Sequence, residues 1–297
     1  MNRIKAAVVG PGNIGADLIE KIRKRSSNLE LGMVVGLYES SIGVQKAREY
    51  GIPVSLEGIE PLLNDPEIRI VFEATSASQH LKNAPLYRKA GKMAYDLTPA
   101  AVGPYAVPVC MGEKELSSDN VNLVTCGGQA TIPITYAINR VQKVKYSEIV
   151  STISSKSAGA GTRANIDEFT ETTAAGLRVI GGAESSKAII ILNPAEPPLM
   201  MRNTIYCVTE EKPDMEKIRE SVFAIAEELK EYVPGYQILS GPIYDEVKQC
   251  IVTMVTVRGA GDSLPEYAGN LDIITSAAVA LADRKAAEML KEEKDNA

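Results

Sequence analysis

Short apolar runs alternate with amphipathic segments along the first third of the chain. Ile4-Lys5-Ala6-Ala7-Val8-Val9, Leu31–Leu37, Ile68–Phe72, Met93–Asp96 and Val121–Thr125 are compact and rich in β-branched residues, which predicts buried strands. Between them, the stretch beginning Asp17-Leu18-Ile19-Glu20-Lys21-Ile22 and the segment Ser78–Ala90 carry helical spacing. This alternation predicts a parallel sheet with helices on both faces, whose ligands lie at the carboxyl ends of the strands.

Beyond a helix expected over Pro133–Val144 the texture changes. Ser147–Ser154, Lys187–Ile191, Asn203–Val208 and Cys250–Val257 alternate polar and apolar positions, with helical stretches at Ile166–Ile180 and Met215–Tyr232. Strands of period two usually have one face packed and the other solvated or paired. A second α+β domain is therefore expected, with a largely antiparallel sheet covered on one side and a free face able to pair subunits. The last helix, Leu271–Lys291, has an apolar stripe at Ile274, Ala277, Ala278 and Leu281 and is expected to return to the first domain. The fold class is thus α/β, a Rossmann-type parallel sheet domain plus the α+β domain. The boundaries expected are 1–126 with 268–297 for the first and 127–267 for the second.

Length, at 297 residues, allows two domains with real cores. A net charge of -6 without Lys/Arg blocks argues against nucleic acid or an anionic membrane surface and leaves small metabolites as partners. No apolar run approaches the ~18 residues of a membrane span, and the chain enters its first strand without a signal-like segment, so a cytoplasmic location is expected. Cys110, Cys126, Cys207 and Cys250 show no metal-ligand spacing, and with His80 as the single histidine no metal site is expected.

Two places carry chemistry. The first strand runs into Gly10-Pro11-Gly12-Asn13-Ile14-Gly15 and then a helix, the context in which a glycine fingerprint binds a dinucleotide. Gly10 makes the turn, Gly12 admits the pyrophosphate and Gly15 allows close helix packing. Glu39, after the second strand, is either a ribose-binding acid that favours NAD over NADP or a solvated loop acid. At the other place, Val124-Thr125-Cys126-Gly127-Gly128-Gln129 puts a thiol at a strand-to-helix junction, where the amides of Gly127, Gly128 and Gln129 and the helix dipole favour thiolate. Taken alone, Cys126 is equally a small core residue.

The glycine fingerprint, Asp96-Leu97-Thr98-Pro99-Ala100-Ala101, Asn122–Pro133, Ser157–Asn165, Asn193–Pro198 and Gly269–Ile273, in this order, resemble the acylating acetaldehyde dehydrogenases. These use NAD and coenzyme A and act after 4-hydroxy-2-oxovalerate aldolase in catabolic pathways, including those for aromatic compounds. The resemblance spans essentially the whole chain and implies a glyceraldehyde-phosphate-dehydrogenase-like architecture. It implies that Cys126 forms the acyl-thioester on a short aldehyde, and that Pro11–Ile14, Asn270 and the loop Ser157, Ala158, Gly159, Ala160, Gly161, Thr162, Arg163, Ala164 and Asn165 contact NAD. A homodimer, or a heterotetramer with the aldolase, is also implied. By themselves the loop reads as well as a structural turn and Asn270 as a helix cap. Three positions depart from the family pattern. Asn203 stands where an Asp, assigned a part in activating the cysteine, is usual; an amide takes no proton, so either water, another carboxylate such as Glu196 or the helix-terminus field ionises Cys126, or activity is weakened. Tyr38-Glu39 replaces an Asp-Pro pair, and Ala160 replaces Pro. Two competing readings remain: a phosphorylating semialdehyde dehydrogenase, for which Arg163 is the one basic candidate, and a weakly catalytic NAD-binding regulatory subunit of an aldolase.

Overall fold

The computed structural model describes residues 2–111, 117–159, 163 and 166–295, and the chain divides into two compact units. The first comprises Met1–Pro104, Gly112–Leu123 and Thr275–Ala297, the second Tyr105–Met111 and Val124–Ile274.

In the first unit six strands, β1 (Ile4–Val9), β2 (Leu29–Val35), β3 (Val54–Ser55), β4 (Ile68–Glu73), β5 (Met93–Asp96) and β6 (Asn120–Asn122), form a sheet of order β3-β2-β1-β4-β5-β6. Every pairing is parallel. Helices α1 (Asn13–Arg25), α2 (Ile42–Glu49), α3 (Glu60–Asn64) and α4 (Ala77–Lys89) supply the crossovers. Strand order reverses between β1's neighbours β2 and β4, and ligands of open α/β sheets bind at such a switch point. One apolar core joins Val9, Val35, Val71 and Ala94 of the strands to Ile59, Leu62 and Tyr87. The buried Lys21–Asp17 pair on α1, with Thr275 donating to Asp17, and Asp283 accepting from the amides of Ser27 and Asn28, hold the C-terminal helix α8 (Gly269–Asp295) within this unit from Thr275 onward.

The second unit is a five-stranded sheet of order β10-β11-β9-β7-β8, built from β7 (Val144–Ser154), β8 (Ser185–Asn193), β9 (Met201–Thr209), β10 (Tyr236–Asp245) and β11 (Cys250–Val257). It is antiparallel except for the β7 and β8 pair. One face, carrying Ile149, Ile153, Ile205, Val255 and Val257, is buried with residues of α5 (Cys126–Asn139), α6 (Ile166–Val179) and α7 (Met215–Lys230). The opposite face leaves Ile191, Leu239, Ile243 and Met254 exposed at 43%, 48%, 54% and 38%.

Two expectations change. The helix expected from Pro133 starts seven residues earlier, at Cys126, and carries Pro133 inside it. The strand β10 is absent from the alternation pattern because Gly241-Pro242 interrupts it; Pro tolerates an edge strand, and β10 is an edge with register shifts around Ser240.

Candidate active site

The segment that delivers Cys126 is a sharp turn. After β6, Val124 adopts φ 59°, a left-handed conformation that costs a β-branched residue ~1–3 kcal/mol. Close glycines make room for it: a Cβ on Gly128 or Gly176 would meet Val124 Cγ1 at 2.9 Å. Thr125 then caps α5, its hydroxyl accepting from the Gly128 amide at 2.9 Å while Thr173 sits 2.6 Å from the same oxygen. Strain of this kind persists where surrounding packing enforces it, and it clusters at functional turns.

Cys126 is therefore the first residue of α5. Its sulfur interacts with the backbone amides of Gly127 and of Cys126 itself. Gly128 and Gln129, expected to face the thiol, instead donate their amides to Thr125 Oγ1 and Thr125 O. The expected resting thiolate also changes: burial pushes the thiol up to about 12, and the two amides only partly offset it. The resting nucleophile is a neutral thiol.

Asn203, on β9, is brought up behind this turn. It pairs across the sheet with Ser151 of β7, whose hydroxyl donates to Asn203 Oδ1 at 2.6 Å, and both side chains are fully buried. A Cβ on Gly127 would lie at ordinary contact distance, 3.4 Å, from Ser151 Oγ but only 2.8 Å from Phe169 Cζ, so it is the Phe169 ring that favours glycine after Cys126. Asn203 Nδ2 has no partner among the described residues, an unsatisfied donor where buried donors are normally bonded. Glu196, the other candidate base, is exposed and paired with Lys156 at 2.6 Å.

Asn270, in the first turn of α8, is buried and directs Nδ2 to the carbonyl of Ser157 at 3.5 Å, with Oδ1 unpartnered among the described residues. The structure thus joins two of the residues expected to contact cofactor. Arg163 binds the Ser155 and Ala158 carbonyls and Ser155 Oγ, so its guanidinium closes its own loop rather than forming an anion site. Ala160, Gly161, Thr162, Ala164 and Asn165 lie outside the described residues.

In the first unit a cavity of about 710 Å³ opens at the carboxyl ends of β1, β2 and β4. Gly10, at φ 89°, packs so closely that a Cβ would meet Ala74 O at 2.6 Å, and one on Gly15 would meet Gly10 O at 2.4 Å. Gly12 faces open space and caps α1 without a side chain, which leaves the first-turn amides of Asn13, Ile14 and Gly15 for an anion. Pro11 and Gly12 line the cavity; Asn13 and Ile14 do not. Glu39 is exposed, pairs with Arg48 at 3.3 Å and does not line it either. Tyr38, Ser41, Glu57 and Glu60 stand on that side instead.

Three comparisons bear on this arrangement. The model of a family described as prokaryotic acetaldehyde dehydrogenase, dimerisation, matches residues 126–265. An acetaldehyde dehydrogenase of Carboxydothermus hydrogenoformans is 57% identical over 292 residues, covering 98% of this chain and 96% of that protein. One from Chloroflexus aurantiacus is 52% identical, covering 98% and 97%. The chain belongs to the acetaldehyde dehydrogenase family.

The fold extends further: aspartate semialdehyde dehydrogenase II of Vibrio cholerae, solved with ASA, superposes with a TM-score of 0.68 over 98% of this chain and 99% of that one at 12% identity. Both share the glyceraldehyde-phosphate-dehydrogenase-like architecture.

Sequence reasoning missed the third wall of the cavity, formed after β4 by Ala74, Thr75, Ser76, Gln79 and Asn83. The signal was present: Ser76 and Gln79 stand three apart at a helix start, and Ser76 Oγ accepts from the Gln79 amide. The ring of His80, the single histidine, is buried between Glu73 and Asp96, the last residues of β4 and β5. Among the described residues no cluster of His, Cys, Asp and Glu could hold a metal, and no helix is long and apolar enough to cross a membrane.

Proposed function

We propose that this protein oxidises acetaldehyde, or another short aldehyde, to the corresponding acyl-CoA with NAD and coenzyme A through a thioester on Cys126. The observation that carries the reading is the placement of Cys126 on a strained turn at the first position of α5, its sulfur against two backbone amides, in a chain of this family. The first unit fits a dinucleotide: a tight Gly10 turn, an open Gly12 and free α1 amides border one cavity. Glu57 and Glu60 on its rim disfavour a 2′-phosphate and support NAD over NADP.

Cys126 sulfur attacks the aldehyde carbon, forming a C–S bond as the C=O π bond opens onto oxygen and the thiol proton passes to water. The amides of Cys126 and Gly127 stabilise the thiolate and then the oxyanion of the thiohemiacetal. Because Asn203 cannot take the proton, its role is to donate through Nδ2 to developing negative charge, with Ser151 fixing the amide's orientation. NAD held by the Gly10–Gly12 turn and the first-turn amides of α1 would supply the hydride acceptor for oxidation of the thiohemiacetal to the thioester. Coenzyme A thiol then attacks the thioester carbon and Cys126 departs as thiolate.

Arg163's engagement with its own loop weakens the phosphorylating alternative, which needs a free cation near the thioester. Partnership with 4-hydroxy-2-oxovalerate aldolase is part of the proposal and is tested by co-elution of the two purified proteins. The reaction is tested by following NADH with acetaldehyde, coenzyme A and NAD. Coenzyme A-dependent NADH formation that is lost in Cys126→Ala is expected; undiminished turnover in that variant would sink the thioester mechanism.

A further inference from the structure

His80, the single histidine of the chain, is completely buried. Its Nδ1 lies 3.7 Å from Glu73 Oε2 and its Nε2 3.5 Å from Asp96 Oδ2, distances of ion pairs rather than hydrogen bonds. Two fully buried carboxylates thus flank one imidazole at the carboxyl ends of β4 and β5. Burying charges is costly unless they are paired, so this trio depends on where its protons sit.

Each carboxylate is fixed by further contacts. Glu73 accepts from Asn83 Nδ2 at 2.9 Å, from the Tyr87 hydroxyl at 2.8 Å and from Thr75 Oγ1. Asp96 accepts from Asn122 Nδ2 at 2.8 Å and from the Thr98 amide at 2.7 Å. These contacts reach the cavity in one step, since Thr75 and Asn83 line it, and in two steps through Gln79, which donates to Asn83 Oδ1 at 2.9 Å. Thr75 also forms the wall against which the Gly10 turn is packed.

The imidazole has two settings. In the observed one Nε2 lies 3.0 Å from Asn120 Nδ2, a contact that suits a neutral ring accepting at Nε2, while Asn120 Oδ1 has no partner among the described residues. Turning the Asn120 amide presents Oδ1 to Nε2–H, the arrangement required by a doubly protonated ring. Asn120 therefore serves either protonation state. Glu73 and Asp96 are the titratable groups that face His80 from the neighbouring strands, and the Tyr87 hydroxyl, from its own helix, donates to Glu73. Burial disfavours the cation, but the two carboxylates outweigh it and hold the imidazole above its ordinary value.

We propose that His80 is a positioning residue for dinucleotide binding. Its proton holds Glu73 and Asp96 together and, through Thr75, Asn83 and Gln79, sets the cavity wall. Losing that proton makes the cluster one charge more negative beneath a site that must accept a pyrophosphate, so binding weakens as pH rises. Linkage is reciprocal: bound dinucleotide must draw the proton more tightly onto His80. The inference rests on the NAD reading above.

As the chain contains no other histidine, the ring carbon signal of His80 in tag-free protein is unique by NMR. Its titration midpoint is measured with and without saturating NADH, alongside NADH affinity from fluorescence between pH 6 and 9 for wild type and His80→Gln. The expected result is an upward shift of the midpoint with NADH, a loss of affinity on the order of tenfold across it in the wild type, and a flat profile in His80→Gln. A midpoint that NADH leaves unmoved, or the same pH slope in His80→Gln, overturns the proposal. The wild-type NMR titration decides it even if His80→Gln does not fold. Absence of NADH binding at every pH overturns the cofactor reading and the linkage together, whereas pH-independent binding overturns the linkage alone.

Discussion

Cys126 shows how opposing effects divide at a single residue. A helix N-terminus and two amides favour the thiolate, yet desolvation is the larger effect and the thiol sits at about 12. Because the folded thiol is held above its free value, the thiolate fraction is small at neutral pH and grows as pH rises. Alkylation of Cys126 by iodoacetamide is therefore expected to accelerate about tenfold per pH unit from 7 to 9. A plateau already reached at pH 7, read by mass spectrometry of the labelled peptide, would show an activated thiolate instead. Ser151→Ala removes the donor to Asn203 Oδ1 and leaves a buried acceptor unsatisfied, for a loss of about 1–3 kcal/mol in urea denaturation. Cys126 and Asn203 are legible as residue types in sequence. Ser151 is not, since only the pairing of β7 with β9 brings it beside Asn203.

At the scale of the element, α5 makes the site by where it begins. Thr125→Ala removes the cap to Gly128 and the contact with Thr173, and is expected to cost about 1 kcal/mol while slowing Cys126 turnover. Gly127→Ala would ordinarily help a helix, but here its methyl meets Phe169 Cζ at 2.8 Å, so a lower melting temperature is expected in calorimetry. An unchanged or raised melting temperature would show that Phe169 gives way. The early start of α5 was hidden by Pro133, whose missing N–H costs ~3 kcal/mol in a helix interior. Ala130, Ile132, Ile134, Ala137 and Ile138, all buried, offset that cost through packing no local pattern records.

Across the whole molecule the unclaimed feature is the open face of the second sheet. Leu239, Ile243 and Met254 on β10 and β11 and Ile191 on β8 are exposed apolar residues of this face, all within the region matched by the dimerisation family model. A homodimer through this face is expected, and Met254→Arg or Ile191→Arg should convert it to monomer by light scattering with the fold retained by circular dichroism. A variant that stays dimeric would place the interface elsewhere.

By itself the sequence determined the two kinds of sheet, the glycine turn after β1 and the strand-to-helix junction that carries Cys126, because hydrophobic period, turn glycines and such junctions are local properties. The parallel order around β1, with Gly10 against Ala74, could not be read from neighbours in the chain. Nor could the outward turn of Glu39 toward Arg48, which depends on where α2 packs. The tertiary structure alone decided that Ser151 meets Asn203 and that His80 lies between Glu73 and Asp96. Those contacts join residues 52, 7 and 16 positions apart, and charges and donors acquire their chemistry from what burial places beside them.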